Sequence, residues 1–243
     1  MLIHAKAPFI RGCLLLISFL ILFWVMLMPL MKDEFGNHMT GLQYADNVFN
    51  ELSKGSSYFI PGVRKNITTV DGKSVQLSVK LKKTDMAVLA GLILEKSGAT
   101  EVHVDDSKVT FSGDLGVILA SATNDADNLY KNDADAVSQK YDGQPALKVA
   151  AAWWYLLTPC IKELQKQHKI EESQVVDHVI RRAIEPGNNF FSVPPAKVSE
   201  HFILMSAMLI FYVLYTLWYG FAIFELFEGI GLAMTKSKVK QEG

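Results

Sequence analysis

Two cysteines in 243 residues, Cys13 and Cys160, are too few to staple a fold. They fall in different segments, one in an apolar run and one in a soluble stretch, so stability has to come from a hydrophobic core. An excess of one charge is lacking too. The 24 basic and 25 acidic residues leave a formal charge of −1, which offers nucleic acid no broad basic surface. Half of the chain is apolar, which excludes intrinsic disorder. A fifth is charged, and the charges are not confined to short loops, which excludes a polytopic transporter. No long internal repeat or low-complexity tract occurs.

Catalytic signatures are equally scarce. There is no Gly-x-Ser-x-Gly elbow, no Gly-x-Gly-x-x-Gly and no phosphate loop, and Cys160 follows Pro159 without a protease context. Gly113-Asp114-Leu115-Gly116 is too short to cradle a phosphate and reads as a strand-to-helix turn. The six histidines, His4, His38, His103, His168, His178 and His201, form no His-x-x-x-His pair, and no Cys-x-x-Cys-His attaches haem. Asn124-Asp125-Ala126-Asp127-Asn128 is echoed by Asn132-Asp133-Ala134-Asp135. It lacks the glycine and the twelfth-position Glu of a calcium loop, so the expectation is a solvated helix face. No cofactor, no metal site and no catalytic residue is expected, and the sequence makes no positive case for an enzyme.

What is present is apolar length at each end. Gly12–Met31 is uncharged over 20 residues, about 30 Å as a helix and the thickness of a bilayer core. Phe202–Phe224 is a second uncharged run. The first reads as an uncleaved signal anchor rather than a signal peptide, because no small-residue cleavage site follows Met31. Lys6 and Arg11 precede it, and Lys236, Lys238 and Lys240 follow the second run, so the positive-inside rule puts both termini in the cytoplasm. The expected layout is a cytoplasmic segment 1–11, span one at 12–31, an outer domain at 32–200, span two at 201–225 and a cytoplasmic amphipathic, basic tail at 226–243. Residues 32–200 carry 19 basic and 22 acidic residues, an ordinary soluble balance. The Asn66-Ile67-Thr68 sequon matters only on a eukaryotic secretory route, and the expected location is a bacterial inner membrane with 32–200 periplasmic.

The outer segment reads as α+β. Thr40–Ser53 carries a helical stripe closed by Gly55, and Ser57–Val63 reads as extended with Pro61-Gly62 as a turn. Asp71-Gly72 turns into an alternating strand at Val75–Leu81. Thr84 is expected to cap a buried helix ending at Gly98, followed by a hairpin through Val102, Val104, Val109 and Phe111. This strand-helix-hairpin makes a small sheet. Helices are then expected at about Asp114–Asp135, Pro145–Lys169 and Glu171–Ile184, with Pro159 kinking or dividing the second. Pro186-Gly187-Asn188-Asn189 and Pro194-Pro195 read as a stiff polar lead into span two.

Three groups stand out as candidate interaction residues. Tyr212, Tyr215 and Tyr219, with Thr216 beside them, share one face of span two and are expected to pack against span one or a partner. Glu225 and Glu228 lie one turn apart near its end, where they meet headgroups or a partner's cation. Trp153, Trp154 and Tyr155 read as core, or else as a docking surface or pocket lining. The two-span topology resembles that of polysaccharide chain-length regulators and two-span trimeric channels. The proline- and glycine-rich second span of the former and the cysteine-rich exterior of the latter are both missing, so topology alone implies little about function. The expected role is a non-catalytic scaffold or accessory subunit. Its partners would be the bilayer, another membrane or envelope protein, or a second copy. The alternatives are an outer ligand-binding module and, third, an oligomeric channel.

Overall fold

Pro29 ends the first helix. A residue before proline is pushed out of the helical region, and Met28 is extended at φ −74°, ψ 143°. The computed structural model describes residues 3–33 and 36–232. Helix α1 therefore runs Lys6–Leu27, displaced toward the N-terminus from the span expected at 12–31. Two short strands, β1 (Met31–Lys32) and β2 (His38–Met39), pair antiparallel. Helix α2 (Gly41–Ser56) follows. Its start is a capping box: Thr40 Oγ1 accepts from Gln43 N–H at 3.1 Å while Gln43 Oε1 accepts from Thr40 N–H at 2.8 Å. Gly55 does not end this helix, which continues to Ser56.

The stretch expected to be extended at 57–63 turns helical from Ile60 on, while 57–59 are neither helix nor strand. Helix α3 spans Ile60–Ile67, with Pro61 in its first turn, where a missing N–H costs nothing. Ile60, Val63 and Ile67 then fall on one buried face. A 3-10 turn at Thr68–Val70 and Gly72, at φ +75°, lead into β3 (Ser74–Lys80), whose alternate residues Val75, Leu77 and Val79 are buried. Helix α4 is Thr84–Lys96, and Thr84 sits inside its first turn rather than capping it. Strands β4 (Thr100–Asp105) and β5 (Lys108–Asp114) complete an antiparallel sheet in the order β3-β5-β4. Val109 and Phe111 of β5 join the β3 residues on the core side, while Ser78 and Thr110 meet through their hydroxyls on the other.

Helix α5 (Leu115–Tyr130) starts where Asp114 accepts from Gly116 N–H and Val117 N–H. It does not reach Asp135. Asn132 turns the chain at φ +64°, and Asp133 caps a separate α6 (Ala134–Lys140). Helix α7 (Ala146–Lys166) contains Pro159 without being divided by it. On either side of that missing N–H, Thr158 Oγ1 donates to Trp154 O and Cys160 Sγ to Leu156 O. Helix α8 (Ile170–Val179) widens into a π segment at Ile180–Ile184, marked by the bond from Glu185 N–H to Ile180 O. The cause follows directly: Pro186 has no N–H to give Arg182 O, and its ring crowds that carbonyl. Pro186–Asn189, expected as a polar lead, belongs to helix α9 (Glu185–Asn189), where Gly187 packs on the Ala126 backbone. Helix α10 (Val198–Gly229) is continuous through the expected span boundary at 225.

The chain is thus mixed α+β, 69% helical, with two small sheets and two helices, α1 and α10, long and apolar enough to cross a membrane. It divides into two units. Residues 50–195 form one with its own core, in which α4 and α7 cover one face of the three-stranded sheet and α5 and α8 pack beyond. In the other, α1 and α10 run antiparallel against each other. Gly12 is buried there, where a Cβ would lie 2.7 Å from Leu226 N, and Gly229 fits against Phe9. His4 N–H and Ala5 N–H donate to Gly229 O, closing the end of the pair.

Candidate functional site

Helix α5 carries two carboxylates at positions that differ by two residues and therefore face apart. Asp125 follows Ile118 and Ala122 and precedes Leu129 on the apolar stripe, so it enters the core and is 2% exposed. There it accepts from Lys140 Nζ at 2.7 Å, Tyr141 OH at 2.5 Å and Trp153 Nε1 at 2.8 Å. Lys140 also donates to Ser121 Oγ, which contacts Ser97 Oγ at 2.7 Å. Burial pushes the Tyr141 phenol above its usual range, and the Asp125 charge adds to the effect. Burial works to lower the Lys140 pKa, but its bonds to Asp125 and Tyr141 outweigh it and leave the pKa raised. The solvated face expected for residues 124–128 is thus corrected: both acids turn inward.

Asp127 accepts from Tyr58 OH at 2.9 Å, Arg64 Nη2 at 2.9 Å and Lys131 Nζ at 3.0 Å. The bond to Asp127 raises the Lys131 pKa. A third buried group was not legible at all. Lys54 is 2% exposed, and its Nζ donates to three neutral oxygens: Asn132 Oδ1 at 3.0 Å, Phe190 O at 2.9 Å and Val193 O at 2.5 Å. The Tyr130 ring lies 5.3 Å away, and Tyr130 OH donates to Lys54 O. Desolvation lowers the Lys54 pKa. Cys160 is also buried, and burial drives its thiol far above its usual range. Among the described residues no group of three His, Cys, Asp or Glu is placed to hold a metal ion.

Two clefts open on the same unit. The larger, about 660 Å³, lies between α3 and the end of α8 and is lined by Tyr58, Phe59, Lys65, Asn66, His178 and Arg182, among others. The smaller, about 340 Å³, is lined by Trp154 and Tyr155 together with Glu185 and Asn188. The aromatic triplet therefore splits. Trp153 is core, not surface, and lines neither cleft, because its indole N–H is committed to Asp125. Trp154 donates to Glu185 Oε1 at 3.2 Å and meets Tyr155 edge-on at 5.3 Å. Asn66, the sequon residue, has its Nδ2 3.0 Å from His178 Nδ1.

In the two-helix unit, Tyr215 stacks on Phe19 at 4.3 Å and Tyr219 approaches the same ring at 5.1 Å. Tyr212 points away and is 64% exposed, and Thr216 Oγ1 donates to Tyr212 O within α10. The Tyr215 hydroxyl and Trp218 Nε1 are buried with no hydrogen-bond partner among the described residues. Glu225 Oε2 lies 3.1 Å from Arg11 Nη2, an ion pair inside this chain. Glu228, one turn on, is within α10 rather than in a separate tail. The basic tail residues Lys236, Lys238 and Lys240 lie outside the described residues.

No protein-family model matches the chain, and no curated protein or solved structure matches it either. Function has to be argued from the geometry.

Proposed function

We propose that this chain is a two-span membrane protein of a bacterial inner membrane that serves as a non-catalytic scaffold or accessory subunit, with residues 32–200 on the outer side. The observation that carries the role is how the reactive groups of the 50–195 unit are used. Asp125, Asp127 and Lys54 are each enclosed and occupied by partners that tie secondary-structure elements together, and Cys160 is enclosed and bonded within its own helix. Groups held in this way support a shape-keeping role over turnover of substrate. The membrane reading rests on exposure. Ile203, Phe202, Leu14 and Trp24 stand out from α10 and α1 at 83, 66, 64 and 62% exposure, although the two helices pack together. Water penalises such a surface, whereas lipid or a partner helix covers it. The antiparallel pairing also puts Lys6 and Arg11 at the same end as Glu225 and Gly229, and in sequence Lys236, Lys238 and Lys240 follow that end, which suits one positive, cytoplasmic side.

The test is purification of the full chain from native membranes in mild detergent after crosslinking. Carbonate-resistant membrane association and one other protein recovered at constant stoichiometry are expected. Release by carbonate would overturn the membrane reading. Repeated recovery of this chain alone, monomeric or self-associated, would overturn the subunit reading.

A further inference from the structure

The larger cleft carries charge of a single sign. Lys65 on α3 and Arg182 on the π segment line it with His178, and among the described residues no carboxylate does. Their neighbours in sequence are paired, Arg64 with Asp127 and Arg181 with Asp177, yet Lys65 and Arg182 make no ion pair among the described residues. The arrangement has a structural cause. Pro186 forces the π turn at Ile180–Ile184, and Arg181 stays with Asp177 while Arg182 is left 4.5 Å over the Phe59 ring. Attraction to the ring face fixes the guanidinium without consuming its N–H donors. Asn66 Nδ2 lies 3.0 Å from His178 Nδ1, so that contact occupies Nδ1 and leaves the Nε2 side of the ring for a further partner. Tyr58 and Phe59 supply an apolar wall.

We propose that this cleft is a binding site for a phosphate group carried by a small organic ester or a lipid headgroup. Lys65 and Arg182 bring two cations and His178 a further ring nitrogen from two facing elements, and a phosphomonoester, with close to two negative charges, answers both cations where a carboxylate answers one. A cavity of about 660 Å³ also holds more than a bare ion, which leaves room for the ester portion against Tyr58 and Phe59. The inference goes beyond the scaffold reading and does not depend on it, because the cleft lies wholly within residues 50–195.

The experiment uses the full-length protein in neutral maltoside micelles, titrated calorimetrically with inorganic phosphate and with glycerol 3-phosphate at matched ionic strength. A parallel arm places it in nanodiscs of phosphatidylcholine with or without phosphatidic acid, a phosphomonoester lipid, and follows thermal unfolding. Lys65→Gln and Arg182→Gln are the test variants, and Arg181→Gln is the control outside the cleft. Saturable binding that weakens about tenfold or more in each test variant and not in the control is expected. Such binding to the solutes identifies a soluble ester as the source. Stabilisation confined to the phosphatidic acid discs and lost in both variants identifies a headgroup. Absence of both responses, or responses equal in wild type, Lys65→Gln and Arg182→Gln, would overturn the proposal. Both side chains are exposed, so the variants are expected to fold, and either one alone suffices for the comparison.

Discussion

Replacing Asp125 with alanine should be far more damaging than replacing Asp127, although the two lie two residues apart on the same helix. Asp125 receives three donors, and two of them cannot reach water: Trp153 is 1% exposed and Tyr141 is fully enclosed. Lys140 keeps a third of its side chain in solvent and can rehydrate. Each stranded buried donor costs about 1–3 kcal/mol, so Asp125→Ala should lose about 3–5 kcal/mol. At Asp127 the cations Arg64 and Lys131 keep more than half of their side chains exposed and return to water when the carboxylate goes. That loss should be about 1 kcal/mol. Asp125→Asn should fall between, since one oxygen still accepts while the new amide donors face Lys140. Urea denaturation of the full-length protein in micelles, followed by far-ultraviolet circular dichroism, reads all three. Equal losses for Asp125→Ala and Asp127→Ala, or a loss below about 1 kcal/mol for the former, would refute the assignment of Asp125 as the central acceptor of this core.

Alkaline stability should fall, and Tyr141→Phe should blunt the fall. With its folded pKa raised above 10.0, Tyr141 contributes fully below that pH, and the contribution is lost as pH climbs through the folded pKa. Urea midpoints from pH 8 to 11 check it, and parallel curves for both proteins would count against the linkage. Lys54 has the opposite sign: its pKa is lowered, so the cost of its buried charge fades as pH rises past the folded value. Gly12→Leu should separate α1 from α10, because even a Cβ would stand 2.8 Å from Leu226 Cγ. The readout is the rate of disulfide crosslinking between cysteines placed at Phe19 and Tyr215, which should drop severalfold. An unchanged rate would mean that the pair does not meet at Gly12. Gly116→Ala should destabilise by about 1–3 kcal/mol, since its Cβ would meet the Asp71 backbone at 2.8 Å; thermal unfolding measures it.

Much of the fold was legible because periodicity reports burial. The alternation at 75–79 and the helical stripe of α2 are local patterns that a half-buried strand or helix must show. Two of the misread places share another cause, which is proline. Pro61 and Pro186 look like punctuation, yet each occupies the first turn of a helix, and what settles the matter is the burial of Ile60, Val63 and Ile67 in one case and of Gly187 in the other. The Asp125 cluster was hidden by its own sequence: an Asn-Asp-Ala-Asp-Asn run looks polar until Asp125 is aligned with Ile118, Ala122 and Leu129. That alignment was available. The partners were not, because Lys140, Tyr141 and Trp153 come from separate helices 15, 16 and 28 residues away, and only tertiary packing joins them.

Lys54 shows why such distant partners escape pattern reading and what they accomplish. Its amine meets Val193 O across 139 residues, and the Asn132 amide braces the same strip by accepting from Ser192 N–H at 2.8 Å and donating to Val193 O at 3.3 Å. Residues 190–195 have no helix or strand to order them, so their carbonyls need donors from elsewhere. A buried lysine supplies three N–H groups at once, which no apolar residue can do, and the lowered pKa measures what that charge costs. Truncating it would remove one of two donors from each of three oxygens, leaving Phe190 O with Val193 N–H alone at 3.2 Å, and would loosen the segment that leads toward α10. Lys54→Ala should therefore raise protease sensitivity at 190–195 before it affects the Asp125 core. Intact resistance there would show that the proline pair at 194–195 holds the strip without help.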